Sequence, residues 1–227
     1  MKLKFIATCL WAVLLGVSLS ACAPLMFGGV IGGAMVASDR RTTGIQVEDE
    51  AIEQRAATAM RENFGSKEHI NVTSYNRKAL ITGEVSSDTV RGQVEQLVGK
   101  IQNVNGVINE LAVGSASGAG DRASDALLEA KVKAAMVDTE DVFANVYKVV
   151  AERGNVYLMG RVTQREAQRA TEVVRGVSGV KRVVRVFEYL TEDELRAMQP
   201  KRKDEPAKAG ASAAPPAANA PVVTPIR

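Results

Sequence analysis

Residues able to do chemistry are scarce in this chain. Across 227 positions there is one histidine, His69, and there are two cysteines, Cys9 and Cys22. A tetrahedral zinc site of the cysteine/histidine kind, or an iron–sulfur site held by four thiolates, needs more of both. Only a carboxylate-rich metal site is left open, and no metal or other cofactor is expected. A Ser-His-Asp arrangement would have to use His69, read as an exposed residue in the loop before a strand, and no signature supports it. No G-x-x-x-x-G-K-[ST] loop occurs, so neither Gly154-Asn155 nor the glycines at 28–33 form a phosphate cradle. The carboxylates of Glu48-Asp49-Glu50 and Glu140-Asp141 fall at expected helix or loop ends, where solvation and the helix dipole account for them. No enzyme is expected. A net charge of +3 over the whole chain is too small to argue for nucleic acid, which calls for a concentrated basic face.

Position decides what the cysteines do. Residues 1–22 begin with Lys2 and Lys4, continue through an apolar run from Phe5 to Val17 and end in small residues. That is a secretory signal, too short in its apolar part to span a bilayer. Its end, Leu19-Ser20-Ala21-Cys22, resembles the lipobox of bacterial lipoproteins, L-[AS]-[GA]-C. The resemblance implies a signal peptide over 1–21 and a covalent N-terminal lipid, palmitate among its chains, on Cys22. Two or more acyl chains anchor stably, at ~0.8 kcal/mol per buried CH2. Ala23, in place of an aspartate, implies for this lipoprotein class delivery to the outer membrane, facing the periplasm. Cys9 would leave with the signal and Cys22 would carry lipid, so no thiol chemistry remains. Residues 22–45 form a lipidated, glycine-rich tether whose apolar stretch at 25–37 is too short to span a bilayer. It could run extended, lie on the membrane or pack against a helix.

The rest of the chain is a duplication at an offset near 76 residues. Asp49-Glu50-Ala51-Ile52 aligns with Asp125-Ala126-Leu127-Leu128, and Met60 with Met136. Ala79 to Val85 aligns with Val156 to Val162. Val104-Asn105-Gly106-Val107 matches Val177-Ser178-Gly179-Val180 at a shorter offset, as if the first copy's second helix were about one turn longer. Each copy reads helix, strand, strand, helix, strand. Ile52, Ala56, Ala59 and Met60 have helical spacing over 48–63, and Val90, Val94, Leu97, Val98 and Ile101 make a second stripe after Ser87-Asp88. Strands are expected around Ile70 to Val72, at Ala79 to Thr82 and from Val107 to Val113, with a turn near Asn76-Arg77-Lys78. The second copy repeats this with helices at 124–137 and 164–177 and strands at 146–151, 155–162 and 180–189. The fold class is α+β: two tandem two-layer sandwiches, each αββαβ, with a three-stranded sheet and two helices on one face. Units of this size have small cores, so mutual packing is expected.

Gly83-Glu84-Val85 and Gly160-Arg161-Val162, the amphipathic helix after each, and the Val-x-Gly-Val motif together resemble the BON domain of bacterial envelope proteins. The resemblance covers about 46–114 and 123–190, joined by a linker at 115–122. With the lipobox in front, the whole resembles the dual-BON outer-membrane lipoproteins. That resemblance implies binding of anionic phospholipid, phosphatidylglycerol or similar, through the first helix of the second BON domain, in support of envelope integrity and division.

Charge and helix faces bear on where such contact would sit. The first copy carries seven Lys/Arg against ten Asp/Glu, the second eleven against nine. The second therefore suits an anionic surface better. On its opening helix Leu128, Val132, Ala135 and Met136 form the core stripe, and Leu127 lies about 100° away, beside Lys131. The equivalents of Leu127 and Lys131 in the first copy are Ala51 and Arg55. An off-face leucine can pack on the neighbouring domain; beside a lysine it also suits an interfacial helix. With the resemblance added, the expected phospholipid contacts are Leu127, Leu128, Lys131 and Lys133. The rival reading is a protein-binding adaptor that presents its sheet faces to an envelope protein, an assembly factor or a protease. Beyond a short helix near 191–198, the Ala/Pro-rich tail cannot bury a core.

Overall fold

The computed structural model describes residues 39–198. Cys22, the signal and tether before Asp39, and the tail beyond Met198 lie outside the described residues. In the first unit, α1 (Thr43–Phe64) starts at a cap in which Thr42 Oγ1 accepts the Ile45 N–H at 3.3 Å. Asp49, Ile52, Ala56 and Met60 form its buried face. Then come β1 (His69–Tyr75), β2 (Lys78–Val85), α2 (Asp88–Gly99), β3 (Gly106–Asn109) and β4 (Ala112–Val113). β1 runs antiparallel to β2, while β3 and β4 run parallel to it. The second unit has α3 (Ala119–Val137), a 3-10 turn at Ala144–Val146, β5 (Tyr147–Glu152), β6 (Asn155–Val162), α4 (Gln164–Arg175) and β7 (Arg182–Tyr189). Its sheet order is β5-β6-β7, with the same antiparallel and parallel senses. The short α5 (Glu192–Met198) follows. The expected α+β architecture is what the chain adopts, αββαβ in the second unit; in the first the last strand is broken into β3 and β4, giving four strands where three were expected.

Several expectations are corrected. α1 begins before the acidic run, so Asp49 is a buried mid-helix residue and not part of a helix start. α3 begins at Ala119, inside the stretch read as linker, because Asp121 reaches back to the Gly118 N–H at 3.1 Å and offsets the poor helix propensity of Gly120. α2 and α4 are both 12 residues long, so no extra turn exists. Register shows why: Val107 pairs with Ala79 and Val183 with Val156, making Val107 the counterpart of Val183 rather than of Val180. His69 is no exposed loop residue. It opens β1, is mostly buried and donates from Nδ1 to Glu84 Oε2 at 2.9 Å.

Two details repeat because the geometry demands them. Each opening helix buries an aspartate whose carboxylate accepts the N–H groups of its own hairpin turn. Asp49 takes those of Asn76 and Arg77 at 2.8 and 2.7 Å; Asp125 takes those of Arg153 and Gly154 at 2.8 and 2.9 Å. All four turn residues have positive φ, the signature of a tight two-residue hairpin, and such a turn leaves its N–H groups without strand partners. The glycine of each Gly-x-Val lets the preceding strand or turn approach. A Cβ on Gly83 would sit 1.9 Å from the His69 carbonyl oxygen, and one on Gly160 would sit 2.9 Å from that of Val146.

Three apolar clusters hold the structure. One lies between helices and sheet in each unit, around Ile81, Val85, Val94 and Val98 in the first and Val132, Met136, Leu158, Val162 and Val174 in the second. The third joins the opposite faces of the two sheets: Tyr75 and Leu80 pack with Tyr157, Met159 and Val186. β2 and β6 are therefore buried on both faces, and the units stack sheet to sheet with their helices outside. Arg182 to Glu110 at 2.6 Å, Asn71 to Glu152 at 3.2 Å and the Tyr75 hydroxyl to the Val146 carbonyl at 3.3 Å bridge the seam. The sheet faces that an adaptor would present are consumed by this packing.

Candidate functional site

The outer face of α3 is unlike that of an ordinary surface helix. Ala123, Leu127, Ala130, Ala134 and Val137 recur at helical spacing and are all exposed, Leu127 by 57% and Val137 by 69%. Lys131 borders this stripe on one side; Lys133 and Arg122 border it on the other. The corresponding positions of α1 are Val47, Ala51, Gln54, Thr58 and Arg61, a mixed polar face. Arg55, counterpart of Lys131, is bound to Glu48 at 3.0 Å. Only the second copy has an apolar outer stripe with basic margins.

The four expected contact residues do not share one environment. Leu127 and Lys131 are exposed and line one groove. Leu128 is 7% exposed and belongs to the core, its Cδ1 lying against Gly179. It supports the helix from beneath and is not available as a membrane contact, because its side chain points about 100° from Leu127. Lys133 is exposed but bonded to Glu129 at 2.6 Å, one helical turn away. Cys22 lies outside the described residues.

The groove beside Leu127 and Lys131 has a volume of about 650 Å³. Arg153, from the β5–β6 turn, and Lys181, from the loop before β7, also line it. Sequence reasoning missed both, since they approach α3 only through folding; their charge was legible, their convergence was not. The acids at the groove are committed elsewhere. Asp125 holds its turn, and Asp121 caps the helix. Burial pushes the Glu84 carboxyl up, but the Ser117 N–H and His69 more than reverse this and hold it below the usual carboxylate range. Lys131 and Lys181 make no ion pair with a side chain among the described residues. An anion entering the groove would meet two unneutralised ammonium groups next to an exposed leucine.

The family of BON domains matches residues 48–115 and 124–191. The chain belongs to the BON domain family. It is 36% identical over 183 residues to Outer membrane lipoprotein DolP of Haemophilus influenzae, covering 79% of this chain and 95% of that protein. It is 32% identical over 154 residues to the 21 kDa hemolysin of Actinobacillus pleuropneumoniae, covering 67% and 79%. A solved structure of CdsD, a structural protein of the type III secretion system of Chlamydia trachomatis, covers 66% of this chain and 68% of its own at 16% identity, with a TM-score of 0.26. The two BON domains and the first relative make this a dual BON-domain, DolP-like outer-membrane lipoprotein. No helix among the described residues is long and apolar enough to cross a membrane. The apolar stripe belongs to the second BON domain, and the groove lies mainly in it, with Glu84 and Ser115 of the first at its edge.

Proposed function

We propose that the protein is anchored in the outer membrane by lipid on Cys22, faces the periplasm, and binds anionic phospholipid through α3 of its second BON domain, in support of envelope integrity and division. It catalyses no reaction. The observation that carries this reading is the exposed Leu127 in its stripe of alanines, flanked by Lys131. A helix of this kind lies in the interface plane, its apolar side chains entering the headgroup boundary while lysines reach the phosphates. Leu127, Lys131 and, from the groove, Lys181 and Arg153 make the contact; Leu128 holds the helix in place.

Flotation of the non-lipidated 38–200 fragment tests it, since the fragment has no covalent anchor. It should float with vesicles containing phosphatidylglycerol and not with neutral ones, and Leu127→Glu should abolish flotation while leaving the circular dichroism melt unchanged. Flotation that survives Leu127→Glu removes α3 as the contact. No flotation with either vesicle favours a protein-binding adaptor, which would then have to use the helix faces.

A further inference from the structure

One buried cluster has no part in lipid binding. His69 and Glu84, neighbours across β1 and β2, meet Glu152 of β5 at the seam between the two BON domains. A ring nitrogen of His69 and one oxygen from each carboxylate all lie within 4.8 Å of one another. His69 Nδ1 is 2.9 Å from Glu84 and 3.8 Å from Glu152. Bonds of 2.0–2.2 Å at tetrahedral angles put ligand atoms roughly 3.3–3.6 Å apart, so small side-chain adjustments around the observed spacing would suffice. Both carboxylates are almost wholly buried. Among the described residues, the Arg153 Nε, 3.7 Å from Glu84, is the one other cationic group within 4 Å of either, and its side chain is half exposed. Two buried carboxylates share one imidazole and one distant guanidinium, and buried charge is normally paired or bound to metal.

Other side chains are arranged as supports. Asn71 Nδ2 donates to Glu152 Oε2 at 3.2 Å and lies 3.2 Å from His69 Nε2, which fixes the ring with its proton on Nδ1. The Ser117 N–H donates to Glu84 at 3.0 Å. Independently, Thr82 is 1% exposed, and its hydroxyl finds no hydrogen-bond partner among the described residues. It stands opposite Asn71 in the register and one pleat from Glu84, on the same face of the sheet, so a buried oxygen donor is held next to the cluster with nothing to bind. Glu84 and Glu152 line separate surface grooves, which supply entry paths.

We propose that His69, Glu84 and Glu152 hold a divalent transition cation, zinc foremost, that clamps the two BON domains together. One imidazole and two carboxylates suit zinc or manganese better than calcium or magnesium, which take nearly all-oxygen shells of six or more. Water or the Thr82 hydroxyl completes the shell. The Nδ1 proton leaves to solvent when that nitrogen takes the metal.

Untagged full-length protein in detergent, stripped with EDTA and dialysed against zinc sulfate, provides the test. About one zinc per chain is expected, with a rise in melting midpoint of roughly 5–10 °C at zinc 100-fold above its Kd and none with magnesium. His69→Ala and Glu152→Gln should each abolish both. Zinc-edge X-ray absorption of the unmutated protein should show one imidazole among oxygen ligands, a signature that only His69 can supply and that does not depend on a variant's folding. No stoichiometric zinc, zinc retained by His69→Ala, or a shell without imidazole would overturn the assignment.

Discussion

Asp49 and Asp125 stand 76 positions apart and hold the same structural post: each, from the middle of an opening helix, accepts the two N–H groups of its own hairpin turn. Asp49 holds more, because the Ser74 hydroxyl and the Arg41 guanidinium, each at 2.7 Å, also end on it. Hydrogen bonds to a charged acceptor contribute about 1.5–3 kcal/mol each, and buried donors left unmatched cost nearly as much. Asp125→Ala is expected to lose about 2–4 kcal/mol in urea unfolding and Asp49→Ala more. Losses within about 0.5 kcal/mol of zero would show that the turns hold without them, and equal losses that Ser74 and Arg41 add nothing at Asp49.

Arg40 grips both oxygens of Glu166, at 2.8 and 2.6 Å, and the Arg161 carbonyl at 2.8 Å, with little of either side chain exposed. Burial alone would push the Glu166 carboxyl up, but Arg40 and the Thr163 N–H hold it below its ordinary value. A lowered carboxyl stabilises the fold above its unfolded value, about 4.3, and that stability is lost as pH falls through the folded value. Arg40→Ala should therefore cost about 3 kcal/mol at pH 7. The gap to the unmutated protein should narrow below pH 4.3, and a gap independent of pH would refute the linkage.

Leu80 lies wholly buried in the cluster shared by the two sheets. With that cluster intact the two domains should melt in one transition. Leu80→Asp places an unpaired charge in the seam at a cost of about 4 kcal/mol or more and should split the calorimetric trace in two. A single sharp transition in this variant would mean that the seam does not couple the domains.

The groove lysines should be unequal. Each lysine near an anionic surface contributes about 1 kcal/mol, so Lys131→Ala and Lys181→Ala should each weaken binding to phosphatidylglycerol vesicles about fivefold and flatten its salt dependence. Lys133→Ala should do less, because that ammonium is already shared with Glu129. The reverse order would put the contact on the other margin of α3.

Order and type of elements were legible because helical and strand periodicities alternate twice with recognisable turns. The early start of α1 and that of α3 were not: Thr43, Gly44 and Gly120 are weak helix formers stabilised by caps and by contacts made later. A signal for the seam was present in Ala79-Leu80-Ile81 and Val156-Tyr157-Leu158-Met159, apolar on both faces, as strands covered on both sides are. At the candidate site, the contrast of Leu127 and Lys131 with Ala51 and Arg55 could be read directly. Leu128 could not be removed from the surface without the packing of Gly179 against it. His69 was misread because its partners are 15 and 83 positions away, a proximity no local pattern encodes.

With lipid on Cys22 as proposed, the bond from Arg40 to Glu166 would also set where force enters the molecule. Arg40 precedes the Thr42 cap of α1 by two residues, so tension from such an anchor would meet the corner between β6 and α4 before it could peel that helix from its end. Two charge-assisted bonds pulled together must fail at once. The second BON domain would thus bear the mechanical load of the proposed anchor as well as the exposed face of α3, with the first carried on it.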